Sequence, residues 1–437
     1  MHELNPLIAK DLQHIWHPCS QMKDFETCPP LVVTRAKGSY LYTNKGPLID
    51  AISSWWCKSL GHGHPAVLAA ISQQLEYFEH IIGANTTHAC LVELAELLAE
   101  ITGNQHAFFA SDGATAVEIA MKLAIHGMQI RGFKDKNQFI ALKNSYHGES
   151  LATLSISDLG IYKAPYSGFG VSCHFIENIP YINTVDDDLW LNCDSHWHSI
   201  LSQIEPIKDK VCAVIVEPLI QGAGGMLCYS QDLLKKLAQW AKVNDIYLIA
   251  DEIMTGIGRT GTWLACDKAQ VHADLVCLSK GLTSGALPLS CVTIDKAIYE
   301  LFYADYNEGK SFLHSNTYSC NALAISAALA TIKTIKNEAI LEKTQALGTL
   351  MLEQLNEVAR LSGALCNVRG IGAVVAADLI GSERMGNALY QEALELGALI
   401  RPIGNTLYWL PPLNTDTETI GKLSEITLQS IIKVKRI

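Results

Sequence analysis

Between about residues 90 and 300 the chain alternates between two periodicities. Short apolar, often β-branched runs at 139–142, 211–216, 247–250 and 275–278 are separated by stretches whose apolar positions recur at helical spacing. Strands alternating with helices predict a parallel sheet covered on both faces. The most regular helix follows Ser111-Asp112: Val117, Ala120, Met121, Ala124 and Met128 share one face, and Ser111 or Asp112 can cap its start. After Asn321 the pattern changes, with helices predicted at 322–335 and 339–361 and a glycine-containing strand at 368–379. The expected architecture is therefore α/β. A large domain occupies 61–320, a smaller α+β domain occupies 321–437, and residues 1–60 pack with the smaller one. A length of 437 residues agrees, because single cores stop growing near about 250 to 300.

Composition narrows the function. With 33 basic against 44 acidic side chains, a formal charge of −11, the chain lacks the basic excess that phosphate backbones demand, so no nucleic-acid partner is expected. Hydrophobic residues make up 49% and charged ones 18%, which suits a compact fold with little disorder. No run approaches the roughly 18 apolar residues of a membrane span, and the first residues show no secretory pattern. The 13 cysteines are scattered without a C-x-x-C pair, so they read as reduced, buried thiols in a cytoplasmic protein.

In parallel sheets ligands bind beyond the carboxyl ends of the strands, so polar residues that close apolar runs come first. Three runs end this way: at Glu217, at Asp251 and at Lys280. A carboxylate at the end of a fully apolar strand needs a cation or strong donors, and Asp251 could equally be a helix cap, an ion-pair member or the partner of a protonated heteroaromatic nitrogen. A lysine at such a position is either an exposed side chain or a desolvated amine fit for Schiff-base chemistry. Gly113 and Ala114 open a helix whose first-turn amides can hold a phosphate. Gly256-Ile-Gly258-Arg259-Thr260-Gly261 matches G-x-G-x-x-G, but five residues separate it from its strand and no helix is predicted after it, so a nicotinamide site is not expected. His62/His64 and His196/His198 lack a third ligand, and no metal site is expected. Trp55-Trp56 is either core or a pocket wall. Tyr146 can stack on a flat cofactor, and Arg401 can clamp a carboxylate or form a structural salt bridge.

Together these segments carry more than each does alone. LIADEIMTGIGRTG followed by DLVCLSKGLTSG, with the lysine 29 residues after Asp251, resembles the signature of the class III aminotransferases, pyridoxal-phosphate enzymes of fold type I. SDGATAVEIAMKLA, NSYHGES, VIVEPLIQGAGGM and HSNTYSCNALA extend the resemblance over most of the chain. It implies a mostly parallel, seven-stranded-type sheet in the large domain, covered by helices, and a homodimer. Lys280 would carry pyridoxal phosphate as a Schiff base, and Asp251 would keep the pyridine nitrogen protonated. Gly113 and Ala114 would hold the phosphate, with Thr317 reaching it from the neighbouring subunit, and Tyr146 would stack on the ring. Trp55, Trp56, Arg259, Gly285, Asn316, Arg401 and Tyr408 would bind substrate, the two arginines addressing carboxylates.

WHP near the start, SSWWCKSLGHGHP and LIRPIGNTLYWLPPL are most similar to the family's biotin-pathway members. That resemblance implies a ping-pong reaction in which S-adenosylmethionine gives its amino group and 8-amino-7-oxononanoate receives it, becoming 7,8-diaminononanoate. Another class III activity, with lysine, ornithine or an ω-amino acid as donor, is the alternative. The chain departs from the pattern in three places. Cys19 stands where those members have a substrate-contacting tyrosine, leaving Tyr40 or Tyr42 to supply the hydroxyl. Ala114 replaces a Ser or Thr, and Asn316 a proline.

Overall fold

The computed structural model describes residues 5–382 and 384–435. Its centre is a sheet of seven strands: β1 (His106–Ala110), β2 (Gln138–Leu142), β3 (Cys173–Ile176), β4 (Val211–Val216), β5 (Tyr247–Asp251), β6 (Leu275–Leu278) and β7 (Ser290–Ile294). Their order is β1-β7-β6-β5-β4-β2-β3, and only β7 runs antiparallel to its neighbours. Every residue of β4 to β7 is buried, which is why β4, β6 and β5 up to Asp251 read as unbroken apolar runs rather than alternating.

Two hydrophobic clusters lie on the two faces. On one, Phe139, Ala213, Ile215, Ile249, Leu275 and Cys277 meet Val117, Ala120, Met121 and Ala124 of helix α1 (Gly113–Ile130). On the other, Ile140, Val214, Val216, Leu248, Ala250 and Leu278 join a core that runs into the C-terminal region. Among the described residues no helix is long and apolar enough to cross a membrane.

Three smaller sheets flank this centre. In one, Val33–Lys37, Tyr40–Thr43 and Gly46–Asp50 form an antiparallel meander, and Ala398–Leu399 pairs in parallel with its last strand. Residues 33–50 are thereby stitched to 398–399. The predicted helices at 322–335 and 339–361 are observed as Ala322–Asn337 and Ile340–Ser362. The single strand expected at 368–379 is instead an antiparallel hairpin of Leu365–Gly370 and Val375–Leu379.

Glycine explains the difference. Gly372, between the two strands, has φ +58°, and a Cβ there would lie 2.5 Å from the Thr260 carbonyl carbon. The turn therefore needs a left-handed residue without a side chain, packed against the 256–261 loop. The glycines of that loop serve a second contact, with the helix Ile340–Ser362. A Cβ on Gly258 or Gly261 would press on Leu341 or Gln345, so the G-x-G-x-x-G spacing belongs to packing. Gly372→Ala should lower stability by about 2–4 kcal/mol through strain and overpacking, read as a lower urea midpoint at unchanged m.

Candidate active site

Three adjacent strands end at one edge of the sheet. There β4 delivers Glu217, β5 ends on Asp251, and β6 is followed by Ser279 and Lys280. The loop after β2 brings Tyr146 and His147 to the same edge, and the start of α1 brings Gly113 and Ala114. All of them line one cavity of about 320 Å³. A second cavity of about 440 Å³ adjoins it, sharing Trp56, Tyr146, Glu149 and Lys280, and reaches outward to Trp55, Arg401 and Tyr408.

The inner cavity is an electrostatic device built on desolvation. His147 Nδ1 and Asp251 Oδ2 are 2.8 Å apart in a buried pair; the carboxylate accepts, so the ring proton sits on Nδ1. The other ring nitrogen, Nε2, is buried without a partner. Glu217 accepts the N–H groups of Tyr146 and Gly222, both at 2.9 Å. Burial pushes its carboxyl up to about 7; His147 pulls down and Asp251 pushes up, and burial wins. The Lys280 amine is drawn below its ordinary value by burial, against the opposing pull of Asp251 and Glu217. A lysine in this state can shed its proton and act as a nucleophile or base.

Glycine and alanine shape the cradle for a phosphate. Asp112 caps α1 by accepting the Thr115 N–H at 3.0 Å, which leaves the earlier amides of the first turn free. A Cβ on Gly113 would lie 2.9 Å from Ile253 Cδ1, and one on Gly148 would lie 2.7 Å from Ala114 Cβ, so no larger residue fits there without displacement.

The outer cavity is walled by the twin tryptophans. They sit on a turn in which Ser53, Ser54, Trp55 and Trp56 have φ of 50°, 45°, 72° and 73°. Four consecutive left-handed residues cost about 1–2 kcal/mol each. Trp56 lies beneath the Lys280 amine, 4.7 Å from Nζ to ring centre, and donates its indole N–H to Tyr408 Oη at 3.0 Å. Trp55 carries the Arg401 guanidinium 4.4 Å above its ring.

Other expected residues lie elsewhere. Arg259 is buried, and its guanidinium donates to the carbonyls of Ala373 (3.3 Å) and Pro411 (2.6 Å), tying the 256–261 loop to the C-terminal region. It lines neither cavity, so this conformation aims it at backbone rather than at a carboxylate. Gly285 likewise lines neither; its carbonyl accepts from Lys58, and a Cβ there would meet Cys57 Sγ at 2.6 Å. Asn316 and Thr317 line a separate cavity of about 730 Å³ with residues 80–84, Phe108 and Phe109.

Neither Tyr40 nor Tyr42 fills the place left by Cys19. Tyr40 bonds Thr419, and Tyr42 lies under Arg35. Instead Tyr162 lines the outer cavity, its hydroxyl 3.0 Å from Cys19 Sγ. Sequence reasoning missed this tyrosine, His147 as partner of Asp251, and Glu149, which accepts from Tyr146 Oη at 3.0 Å. A polar residue closing β4 did point to Glu217. Nothing local pairs His147 with a carboxylate 104 positions away.

Comparison with known proteins decides the family. The model of the family described as aminotransferase class-III matches residues 22–432. The chain belongs to that family. It is 34% identical to adenosylmethionine-8-amino-7-oxononanoate aminotransferase of Helicobacter pylori, over 95% of each chain. It is similar to the crystal structure of the protein of that name from Methanocaldococcus jannaschii, with TM-score 0.89, 30% identity and 98% of each chain covered. An amine transaminase from an uncultivated Pseudomonas species, solved in its PLP-bound form, matches with TM-score 0.88 and 27% identity, over 96% of this chain and 98% of that one.

As a class III aminotransferase the chain is a pyridoxal-phosphate enzyme of fold type I. The inner cavity fits that cofactor: a free helix N-terminus for the phosphate, a buried carboxylate for the ring nitrogen and a desolvated amine for the aldehyde. Borohydride reduction of the holoenzyme followed by peptide mapping should find the reduced cofactor adduct on Lys280, and none in Lys280→Ala. Stability of the cofactor-free protein also carries a sign. Because Glu217 is raised from 4.5 to about 7, it binds its proton more tightly when folded, so its contribution is full below about pH 4.5 and is lost as pH rises through about 7. Glu217→Gln should remove a decline on the order of 2–3 kcal/mol between those pH values, measured by urea unfolding against the parent protein.

Proposed function

We propose that this aminotransferase takes the amino group of S-adenosylmethionine and delivers it to 8-amino-7-oxononanoate, forming 7,8-diaminononanoate in biotin synthesis. The observation that carries the reading is the outer cavity, where Trp55, Trp56, Tyr408 and Arg401 converge beside Lys280. It gives a chamber of about 440 Å³ lined by two indoles, with the Arg401 guanidinium apart from the amine, which suits an aliphatic keto acid whose carboxylate lies far from its ketone. The name shared by the Helicobacter and Methanocaldococcus relatives supports it.

Each residue has a part in that reading. Pyridoxal phosphate, when bound, supplies an electron sink for the carbon that loses its proton. The Asp251 carboxylate, oriented by His147, keeps the pyridine nitrogen protonated, and the amides of Gly113 and Ala114 hold the phosphate. Lys280 Nζ takes a proton from the donor and returns it on the other side of the exchange, a task that desolvation of the amine favours. Tyr146 would pack on the cofactor, its backbone N–H bonded to Glu217 and its hydroxyl to Glu149. Arg401, flat on Trp55, receives the carboxylate.

The unit is a homodimer in the same reading: Thr317, in a cavity apart from Lys280, reaches a phosphate in the neighbouring subunit. Residues 1–60 and 321–437 form the small domain over 61–320, a division supported by the pairing of Gly46–Asp50 with Ala398–Leu399. A second reading, transfer from an ω-amine or diamine, draws support from the amine transaminase likeness.

Absorbance of the bound cofactor separates the two. S-adenosylmethionine added alone should convert the aldehyde band to that of the aminated cofactor, and lysine or ornithine should not; an inert spectrum with the first and conversion with either of the others would favour the second reading. Arg401→Ala should raise KM for 8-amino-7-oxononanoate about 100-fold while changing that for the donor less than tenfold, since a charge-assisted carboxylate pair contributes roughly 1.5–3 kcal/mol.

A further inference from the structure

The strained turn that carries the two tryptophans needs something to hold it. Asp50, fully buried at the end of the strand Gly46–Asp50, accepts three bonds: the Ser54 N–H on Oδ1 (2.9 Å), and the Ser54 hydroxyl (2.7 Å) and His62 Nε2 (2.8 Å) on Oδ2. Burial by itself would raise this carboxyl. The bonds from His62 and Ser54 outweigh burial and hold it below its ordinary value. His62 is fixed in turn, because its own N–H and C=O pair with Gly38 at 2.8 and 2.9 Å.

The same carboxylate stands where the two halves of the outer wall meet. Asp50 is in register with Leu399, two residues before Arg401. Beyond it, Leu410 N–H donates to Ala51 O (2.7 Å), and the Ser53 hydroxyl donates to Leu410 O (2.7 Å), two residues after Tyr408. The turn is thus riveted on one side to the segment that presents Arg401 and Tyr408, and on the other to Asp50. None of Asp50, Ser53, Ser54 or His62 lines either cavity.

We propose that Asp50, braced by His62, is a positioning residue for substrate: it holds the left-handed Ser53–Trp56 turn so that Trp55 meets Arg401 and Trp56 meets Tyr408 and Lys280. It acts on the carboxylate-binding end of the wall through Trp55, and on the amine through Trp56. Without the three bonds the four residues relax toward right-handed conformations. The indole rings then leave the cation faces they present. The role of the wall in substrate binding rests on the reading above; the bracing of the turn does not.

Fluorine NMR of protein labelled with 5-fluorotryptophan tests the bracing directly. Trp55→Phe and Trp56→Phe assign two of the eight resonances. In His62→Ala those two should shift or broaden while the other six stay in place, and His62→Gln, which restores a donor to Asp50, should return them. Asp50→Ala should do the same more strongly. If it does not fold, the His62 pair still decides. Unmoved Trp55 and Trp56 resonances in His62→Ala, or a change of all eight that Gln does not reverse, would overturn the proposal. In turnover, His62→Ala should raise KM for 8-amino-7-oxononanoate at least tenfold with kcat within threefold, and His62→Gln should recover it. A parent enzyme inert toward that acceptor would defeat the substrate reading alone, because the resonances report on the turn whatever the substrate is.

Discussion

The chemistry of this molecule depends on one constraint: an amine and two carboxylates desolvated at the carboxyl edge of a sheet whose strands β4 to β7 are wholly buried. Lys280, Asp251 and Glu217 follow strands in which every side chain is packed, so none of them can withdraw to solvent without unpacking its strand. Burial penalises any charge held there. The outcome differs by group because their partners differ. Asp251 has the imidazole of His147, Glu217 has only two backbone amides, and Lys280 has the two carboxylates at longer range. A site with distinct acid, base and anion roles emerges from one low-dielectric edge by the choice of neighbours.

Much of that edge was legible in the sequence. Fully buried parallel strands leave a pattern that few other structures leave, runs with no polar interruption, and the residue closing each run is the first that can be polar. Asp251, Lys280 and Glu217 stand out for that reason. What the pattern cannot carry is partnership across the fold. His147 and Asp251 meet because β2 and β5 flank β4, a fact of strand order rather than of local composition. Arg259 shows the converse. Its place within a glycine-rich signature invites a ligand role, while the structure spends its donors on two carbonyls that the hairpin turn and the 409–412 segment bring close. The hairpin itself was missed because glycines at 370 and 372 read equally as interruptions within one strand or as a reversal. Steric room against Thr260 chooses the reversal.

The outer wall was legible in composition but not in conformation. Two adjacent tryptophans mark a bulky apolar surface, yet no propensity predicts four non-glycine residues in left-handed geometry. Such a turn persists only where surrounding contacts over-determine it, and here these come from Asp50 and His62 close by and from Leu399 and Leu410, some 350 residues later in the chain. Tyr162 illustrates the same limit. The hydroxyl that lies beside Cys19 belongs not to nearby Tyr40 or Tyr42 but to a residue 143 positions away.

The division between the two cavities explains why the family is easier to assign than the substrate. Every group of the inner cavity that would meet the cofactor is fixed by the central sheet or by the helix and loop leaving it, and the fold that contains them is kept in relatives with only 27–30% identity. Beyond Ala223 and the residues it shares with the inner cavity, the outer cavity is assembled from segments around residues 19, 55, 162 and 401–408, none of which belongs to the central sheet. Small changes in any one of them alter the shape and charge offered to a substrate without disturbing the desolvated amine. Reaction type therefore follows the sheet, and specificity follows the segments that close over it, so a fold match alone carries the first and not the second.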